Sequence, residues 1–228
     1  MGSVIPLKKE INNSYLELKN LVGTKLYDVA QRIKYKLASE INLIHKMTNY
    51  HLNSGGKRIR PLLTLGSAKL CGYKDGTRDV NLAACIELIH NATLLHDDVI
   101  DNSKLRRGIK TSNSIWGNQS SVLVGDYLFS RCFEMMVEDG SQEILKLLSS
   151  TSSKIAQGEV QQLEYKGEIY ILEETYFDII NSKTAALFAA ATRVGACITN
   201  KSKKEKDALE SYGRNLGLAF QIADDALD

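Results

Sequence analysis

The chain has 228 residues, which is enough to bury a substantial core, and a single domain is expected at this length. Its 29 Lys and Arg residues nearly balance its 27 Asp and Glu residues, and the net charge of +2 excludes a general electrostatic attraction to nucleic acid or to a membrane surface. Any site for a phosphate group must therefore be local. Four widely spaced cysteines without a CxxC pair favour buried, reduced thiols and hence a reducing compartment.

The N-terminal stretch MGSVIPLKKE has no apolar run long enough for a signal peptide, and no later run approaches the roughly 18 apolar residues of a membrane span. We therefore expect a cytoplasmic protein without an integral membrane segment. Only Pro6 and Pro61 interrupt the chain, and apolar residues recur every three or four positions in most segments between glycines. This pattern predicts an all-α fold without strands.

The first predicted helices span residues 11–22 and 24–52, and the second ends at Ser54-Gly55-Gly56. The stretch GGKRIRP at 55–61 then places three cations just ahead of an apolar helix at about 61–71, with Pro61 in its first turn. Lys57 and Arg60 near a helix N-terminus would attract an anion, because backbone N–H groups and the helix dipole add to their charge. Taken alone, the stretch fits a flexible basic surface loop equally well.

A long, mostly apolar helix is predicted from Asn81 to Asn102. One face of it changes from apolar at its start to acidic at its end, and this face carries Ile86, His90, Thr93, Asp97 and Asp101. A lone histidine on an apolar helix is usually a core residue. Because His90 lies about two turns before Asp97 on the acidic stripe, we favour a ligand contact for it.

Asp97 and Asp101 are four residues apart and project from the same side of the helix, with Asp98 about 100° round. Paired carboxylates without nearby Cys or closely spaced His suit Mg2+ better than Zn2+. Arg106 and Arg107 follow directly, and arginines beside metal-binding carboxylates are typical of a phosphate or diphosphate site. The alternative is a solvated acidic helix end followed by a basic turn.

Further helical segments follow at 119–138, 141–165 and 173–199. Residues 201–210 form a charged turn and helix start, and the last segment is 212–228. The segment 173–199 is rich in small residues and therefore able to approach its neighbours closely. Lys183 on this apolar segment needs either an acidic partner or a bound anion, and the sequence leaves both open. The chain closes with FQIADDALD, in which Asp224, Asp225 and Asp228 repeat the DDxxD pattern of residues 97–101. Two such clusters, each at the polar end of a largely apolar helix, predict facing metal sites.

These motifs together resemble the trans-isoprenyl diphosphate synthase family, from about residue 15 to Asp228 and in the family's order. They are GGKRIRP at 55–61, LLHDDVIDNSKLRRG at 94–108, GEVQQL at 158–163, Lys183-Thr184, and FQIADDALD at 220–228. Within the family the chain is most similar to the long-chain, octaprenyl-like synthases of quinone (ubiquinone) biosynthesis. The resemblance implies an antiparallel all-α helical bundle around a deep central cavity, and a homodimer.

The resemblance also implies a role for each matching residue. Asp97, Asp101 and Asp224 would bind Mg2+, three ions with substrate bound, with support from Asp98, Asp225 and Asp228. The isopentenyl diphosphate would be held by Lys57, Arg60, His90 and Arg107. The allylic prenyl diphosphate would be held by Arg106, Lys183, Thr184 and Gln221. The loop from Asn102 to Arg107 would turn the arginines back toward the metals.

The implied reaction is ionisation of the allylic diphosphate in a dry cavity, attack by the isopentenyl double bond on the resulting carbocation, and loss of a proton. Catalysis would depend on Asp97, Asp101, Lys183 and Asp224. Product length would follow from Ile89, Ala92 and Thr93 beneath the first aspartates. Because neither Ala92 nor Thr93 is a bulky aromatic, we predict a product longer than geranylgeranyl diphosphate.

The family normally continues for roughly a third of its length beyond the second acidic motif. Residues 1–228 are therefore expected to form a single synthase domain that lacks the family's C-terminal helices. An alternative is a truncated, non-catalytic partner or modulatory subunit of a full-length synthase. A weaker alternative is a di-iron carboxylate bundle, for which the Glu-x-x-His pairs are missing.

Overall fold

The computed structural model describes residues 7–168 and 170–227. Within these residues the chain forms eleven α-helices joined mostly by short turns, and the all-α prediction is confirmed. The helices are α1 Leu7–Val22, α2 Lys25–Lys36, α3 Asn42–Asn53, α4 Ile59–Leu70, α5 Arg78–Ile100, α6 Ser112–Trp116, α7 Asn118–Asp139, α8 Gln142–Glu164, α9 Glu173–Ile180, α10 Ala186–Ile198 and α11 Lys203–Asp225. None of these described helices is long and apolar enough to cross a membrane.

Helix α5 lies at the centre of the bundle and packs against α2, α4, α7 and α10. Its apolar residues are buried on every side, including Leu82, Ile86, Leu88, Ile89 and Leu95. A helix that is apolar all round is stable only when neighbours surround it, and this explains its central position. Its polar C-terminal end therefore emerges from the core at a defined place.

Helix α10 packs unusually close to its neighbours because small residues line it, as the sequence predicts. A Cβ atom on Gly195 would lie 2.4 Å from the backbone nitrogen of Ala68 in α4. On the other side, a Cβ on Gly213 of α11 would lie 2.5 Å from the carbonyl oxygen of Phe188. Close backbone approach of this kind holds α4, α10 and α11 in fixed relative positions.

One predicted helix is wrong in detail. The single helix at 24–52 is two helices, because the chain turns between Leu37 and Ile41. Leu37 is buried there, and Arg131 and Tyr127 of α7 donate hydrogen bonds to the carbonyl oxygen of Ala38. The charged turn and helix start expected at 201–210 continue into the last segment as one helix, α11, which begins with a capping box between Ser202 and Glu205 and ends at Asp225.

A small hairpin also forms where no strand was predicted. Strand β1, Leu105–Arg106, pairs antiparallel with β2, Ile109–Lys110. The segment 173–199 is helical as predicted, but a π-helical turn at Asn181–Ala185 separates α9 from α10. Of the four free cysteines, Cys85, Cys132 and Cys197 are buried, whereas Cys71 is half-buried.

Candidate active site

The first acidic cluster lies at the C-terminal end of α5, where the central helix leaves the core. Asp97 and Asp98 are buried, with 8% and 1% of their surface exposed. Asp101 follows the last helical residue and is exposed, and its Oδ1 lies 3.6 Å from Nζ of Lys166. The cluster therefore presents buried carboxylates next to one that faces solvent.

The hairpin turns the two arginines back, as the resemblance implies. Arg107 (φ 53°) and Gly108 (φ 80°) are its two central residues, and positive φ at both is typical of the tight turn that joins two-residue strands. Arg106 then pairs with Asp98, with Nε and Nη2 donating to Oδ1 at 2.9 and 2.8 Å. Asp98 thus holds the side chain of Arg106 beside the cluster.

Arg107 reaches in the other direction and donates a hydrogen bond from Nη1 to the carbonyl oxygen of Gly55. This contact brings the hairpin to the basic loop 55–61, which the sequence alone leaves unconnected to the acidic cluster. Lys57 is exposed in this loop, and its backbone carbonyl accepts a hydrogen bond of 3.0 Å from Tyr15 Oη. Arg107 and Lys57 thus lie along one basic rim.

Arg60 and His90 form the inner part of this basic region, where α4 meets α5. Nη1 of Arg60 lies 3.1 Å from Nε2 of His90, and the guanidinium carbon lies 4.5 Å from the centre of the Phe188 ring. Burial lowers the pKa of Arg60 to about 10, whereas the charge of Glu87 opposes this shift. Arg60 is therefore a largely desolvated cation.

His90 is held neutral. Burial, followed by the charges of Arg60 and Arg107, lowers the pKa of His90 well below its usual value. Because a guanidinium can only donate, Nε2 of His90 accepts from Arg60, which leaves the proton on Nδ1. The imidazole can thus offer one N–H to an anion beside Arg60.

Lys183 and Thr184 lie in the π-helical turn, a feature that often marks a functional site. Nζ of Lys183 donates to Glu159 Oε2 at 3.0 Å and to Gln162 Oε1 at 2.8 Å, both on α8. The acidic partner that the sequence left open is therefore Glu159. Gly158 makes this contact possible, since a Cβ there would lie 2.9 Å from the backbone nitrogen of Lys183.

The second acidic cluster is joined to the same turn. Thr184 Oγ1 donates to Gln221 Oε1 at 2.7 Å, and Gln221 Nε2 donates to Asp225 Oδ1 at 2.7 Å. Asp225 also accepts from Tyr176 Oη at 2.6 Å. Asp224 is exposed beside it, and Asp228, which was assigned a supporting role, lies outside the described residues.

Glu159 links the two clusters electrostatically. Burial and then the charge of Glu159 raise the pKa of Asp97 to about 7, against the opposing charges of Lys183 and Arg106. Asp97 and Glu159 thus interact through their charges, and hydrogen bonds continue from Glu159 to Lys183 and from Thr184 through Gln221 to Asp225. We call this series of groups the acidic path. Oε1 of Glu159 is buried and has no hydrogen-bond partner among the described residues. In the sequence, the only signal that Glu159 links the two clusters was its position one residue after Gly158 in the GEVQQL motif.

A cleft of about 260 Å³ opens beside this path. Its lining includes Asp101, Glu159, Gln162 and Lys166, together with the apolar side chains of Ile100 and Ile179. Within the described part of the chain, no three His, Cys, Asp or Glu side chains are grouped so as to hold a metal ion unaided. The cleft therefore presents the carboxylates of Asp101 and Glu159 together with the ammonium of Lys166.

The residues assigned to product length lie earlier on α5 than the first acidic cluster. Ile89 and Ala92 are fully buried in the core, and Thr93 is half-buried, with Oγ1 donating to the His90 carbonyl at 2.8 Å. These side chains pack on the same helix that carries Asp97, about one to two turns earlier.

The sequence matches the model of the polyprenyl synthetase family over residues 41–228. It is 43% identical over 212 residues to octaprenyl diphosphate synthase of Escherichia coli, an alignment that covers 93% of this chain and 65% of that enzyme. It is 40% identical over 187 residues to a short chain isoprenyl diphosphate synthase of Methanothermobacter thermautotrophicus, covering 80% of this chain and 57% of that protein.

Among solved structures, the fold is similar to a polyprenyl synthase of Caulobacter crescentus that was crystallised with calcium and isoprenyl diphosphate. The TM-score is 0.91 at 45% identity, and the match covers 93% of this chain and 65% of that one. The chain thus spans about 65% of the length of the octaprenyl relative and of this structure.

Proposed function

The chain belongs to the polyprenyl synthetase family, and from this premise we propose that it condenses isopentenyl diphosphate with an allylic prenyl diphosphate. The observation that carries the proposal is the set of hydrogen bonds from Glu159 through Lys183 and Thr184 to Gln221 and Asp225, together with the basic pair Arg60 and His90. An acidic path next to a desolvated basic region is suited to two diphosphates, one bound with cations and one bound by arginine and imidazole.

A divalent cation fits the acidic side, and we propose Mg2+, with three ions when substrate is bound. Mg2+ is usually held by one or two carboxylates, water and substrate phosphates, so the lack of a three-ligand group among the described residues is compatible with it. Asp97, Asp101 and Asp224 would hold it, and the unpartnered buried oxygen of Glu159 marks a position that favours a cation. When bound, the metal would neutralise negative charge on the departing diphosphate.

On the basic side, Lys57, Arg60, His90 and Arg107 would hold isopentenyl diphosphate. Arg60 is half-buried, and its contact with the Phe188 ring fixes the plane of the guanidinium. A neutral His90 with its proton on Nδ1 adds a directional donor without another buried charge. These groups would orient the isopentenyl double bond and exclude water from it.

On the acidic side, Arg106, Lys183, Thr184 and Gln221 would hold the allylic diphosphate. Without substrate, Lys183 is held by Glu159 and Gln162, so we propose that the allylic diphosphate draws this ammonium toward itself on binding. Its charge would then stabilise the leaving group as the allylic C–O bond breaks. The proton lost after attack would pass to the released diphosphate, since no protein nucleophile or base is required.

We further propose a product longer than geranylgeranyl diphosphate, of the octaprenyl kind that serves as a quinone side chain. The support is the absence of an aromatic plug at Ala92 and Thr93, below Asp97. Sequence identity does not decide the length, because the chain is 43% identical to an octaprenyl synthase and 40% identical to a short chain synthase.

A homodimer in the cytoplasm completes the proposal. Helix α7 carries a stripe of exposed apolar side chains, Leu123 (65%), Phe133 (46%) and Val137 (67%), on one side. Such a stripe is typical of a surface that a second subunit covers. A non-catalytic modulatory subunit is not favoured, because the basic and acidic residues are assembled as a reactive pair of subsites would require.

The test is to incubate the chain with Mg2+, isopentenyl diphosphate and farnesyl diphosphate and to separate the products by chain length. Extended prenyl diphosphates support the proposed reaction. An intact, folded chain that forms none contradicts it. Size-exclusion chromatography with light scattering tests the dimer, which Leu123→Lys is expected to weaken.

A further inference from the structure

Glu87 is a buried carboxylate inside the apolar part of α5 that no step of the proposed reaction uses. It is 5% exposed and lies one turn before His90, on a neighbouring part of the same helix face. Its Oε1 lies 3.4 Å from Nη1 of Arg58. A buried carboxylate is costly unless it is paired, so its presence beneath the basic region calls for a role there.

Arg58, the partner of Glu87 in this pair, adopts an unusual backbone conformation. It precedes the first residue of α4 with φ 50° and ψ 42°, the left-handed region that non-glycine residues rarely adopt. Its Nη2 donates to the carbonyl oxygen of Leu52 at 3.0 Å. The Arg58 side chain thus connects the end of α3 to α5. Lys57 and Arg60 lie on either side of Arg58 in the chain.

Glu87 also acts on the inner residues of the basic region. Its charge opposes the effect of burial on the pKa of Arg60, and Arg58 and Arg60 in turn oppose the rise that burial causes in the pKa of Glu87. Asn91, one turn further along α5, donates from Nδ2 to the backbone carbonyl of Glu87 at 2.6 Å. One carboxylate therefore pairs with Arg58 and attracts the charge of Arg60.

The region is otherwise strongly cationic. Burial and then the charges of Arg106, Arg107 and Arg58 lower the pKa of His51 to about 4. Cations that converge without a counter-charge repel one another and spread apart. A fixed carboxylate beneath them keeps their side chains in place before the anionic substrate arrives.

We infer that Glu87 is a positioning residue that fixes Arg58 and Arg60, and through them the loop 55–61, for isopentenyl diphosphate without touching that substrate. The inference rests on the proposed function and adds to it one residue that sets affinity at one of the two subsites. The positioning role predicts that loss of the Glu87 charge weakens diphosphate binding, whereas charge alone predicts that it strengthens binding. Removal of a negative charge near a cationic subsite should strengthen diphosphate binding, whereas loss of position should weaken it.

The test is Glu87→Gln, which keeps the shape of the side chain and removes its charge. We expect the KM for isopentenyl diphosphate to rise about tenfold, the KM for the allylic diphosphate to stay within about twofold, and kcat to change little. Glu87→Asp should recover part of the loss. If Glu87→Gln does not fold, as judged by circular dichroism, Arg58→Met carries the test with the same expected pattern.

The matched control is Asp139→Asn. Asp139 pairs with Arg78 at the opposite end of α5, at 2.6 and 2.9 Å, and its side chain is 4% exposed. Its loss should lower the melting temperature and leave both KM values unchanged. This control separates loss of stability from loss of position.

Calorimetric titration of the unsubstituted chain with isopentenyl diphosphate separates this inference from the proposed function. If that chain neither binds isopentenyl diphosphate nor extends prenyl chains, both are overturned. If it does and Glu87→Gln has an unchanged or lower KM for isopentenyl diphosphate, or if both KM values rise equally, only the positioning role is overturned.

Discussion

Asp97→Asn should stabilise the protein while abolishing its activity. Burial and the charge of Glu159 raise the pKa of Asp97 from 3.8 to about 7. At about 1.36 kcal/mol per pKa unit, the folded state pays up to about 4 kcal/mol to ionise this group. Asparagine has the same size and no charge, so we expect an increase of about 2–4 kcal/mol in the free energy of unfolding at pH 8 without metal.

The pH dependence follows from the direction of the shift. Below about pH 3.8 Asp97 is protonated in both the folded and the unfolded chain, and it contributes no penalty. As the pH rises from about 4 to 7, the unfolded chain loses this proton before the folded one, and the wild-type protein loses stability. Above about pH 7 the difference is constant. The advantage of Asp97→Asn should therefore grow between pH 4 and pH 7.

The assay is thermal unfolding in EDTA at pH 4.5 and pH 8. For a chain of this size about 1 kcal/mol corresponds to about 2–4 °C, so we expect the melting temperature of Asp97→Asn to exceed that of wild type by at least about 4 °C at pH 8. The advantage should shrink in a Glu159→Gln background, because one cause of the shift is then absent. A variant less stable than wild type at pH 8, or equally stabilised at both pH values, would refute the reasoning.

Three further predictions follow from the contacts of the site. Lys183→Met removes the cation between Glu159 and the allylic subsite. It should raise the KM for the allylic diphosphate at least about tenfold and leave the KM for isopentenyl diphosphate nearly unchanged. Lys183→Arg is the control, and equal rises of both KM values would contradict the assignment. Ala92→Phe should shorten the products seen by chromatography, whereas Ala92→Ser should not. Unaltered product lengths in a folded Ala92→Phe variant would contradict the assigned product path. Gly158→Ala should lower the melting temperature by several degrees and reduce kcat. The new Cβ of residue 158 would lie 2.8 Å from Cβ of Ser182 and displace the π-helical turn. A wild-type melting temperature and a wild-type kcat would show that α8 adjusts freely.

Local patterns were sufficient to predict most helices and the two acidic clusters. The helix at 24–52 was predicted as one element because residues 37–41 contain neither Gly nor Pro. The turn there depends on contacts with Tyr127 and Arg131, about 90 residues away. The hairpin was missed because Arg107 adopts positive φ, which its residue type does not favour.

The site was predicted less completely than the fold, because its contacts join distant segments. The partner of Lys183 is 24 residues away on another helix, so spacing cannot identify Glu159. The contact between Arg107 and Gly55 joins segments 52 residues apart. Glu87 did leave a signal, since an acidic residue within the apolar run 82–89 needs a buried partner, but the partner itself became visible only when α4 was placed against α5.

The central claim is that the acidic path and the basic region together join two diphosphate substrates. Its most direct test is the product assay with Mg2+, isopentenyl diphosphate and farnesyl diphosphate, followed by chromatography of the prenyl products. The account predicts chains longer than geranylgeranyl, no product after EDTA treatment, and recovery when Mg2+ is added back. A folded chain that binds isopentenyl diphosphate in calorimetry but forms no extended product with Mg2+ present would contradict it.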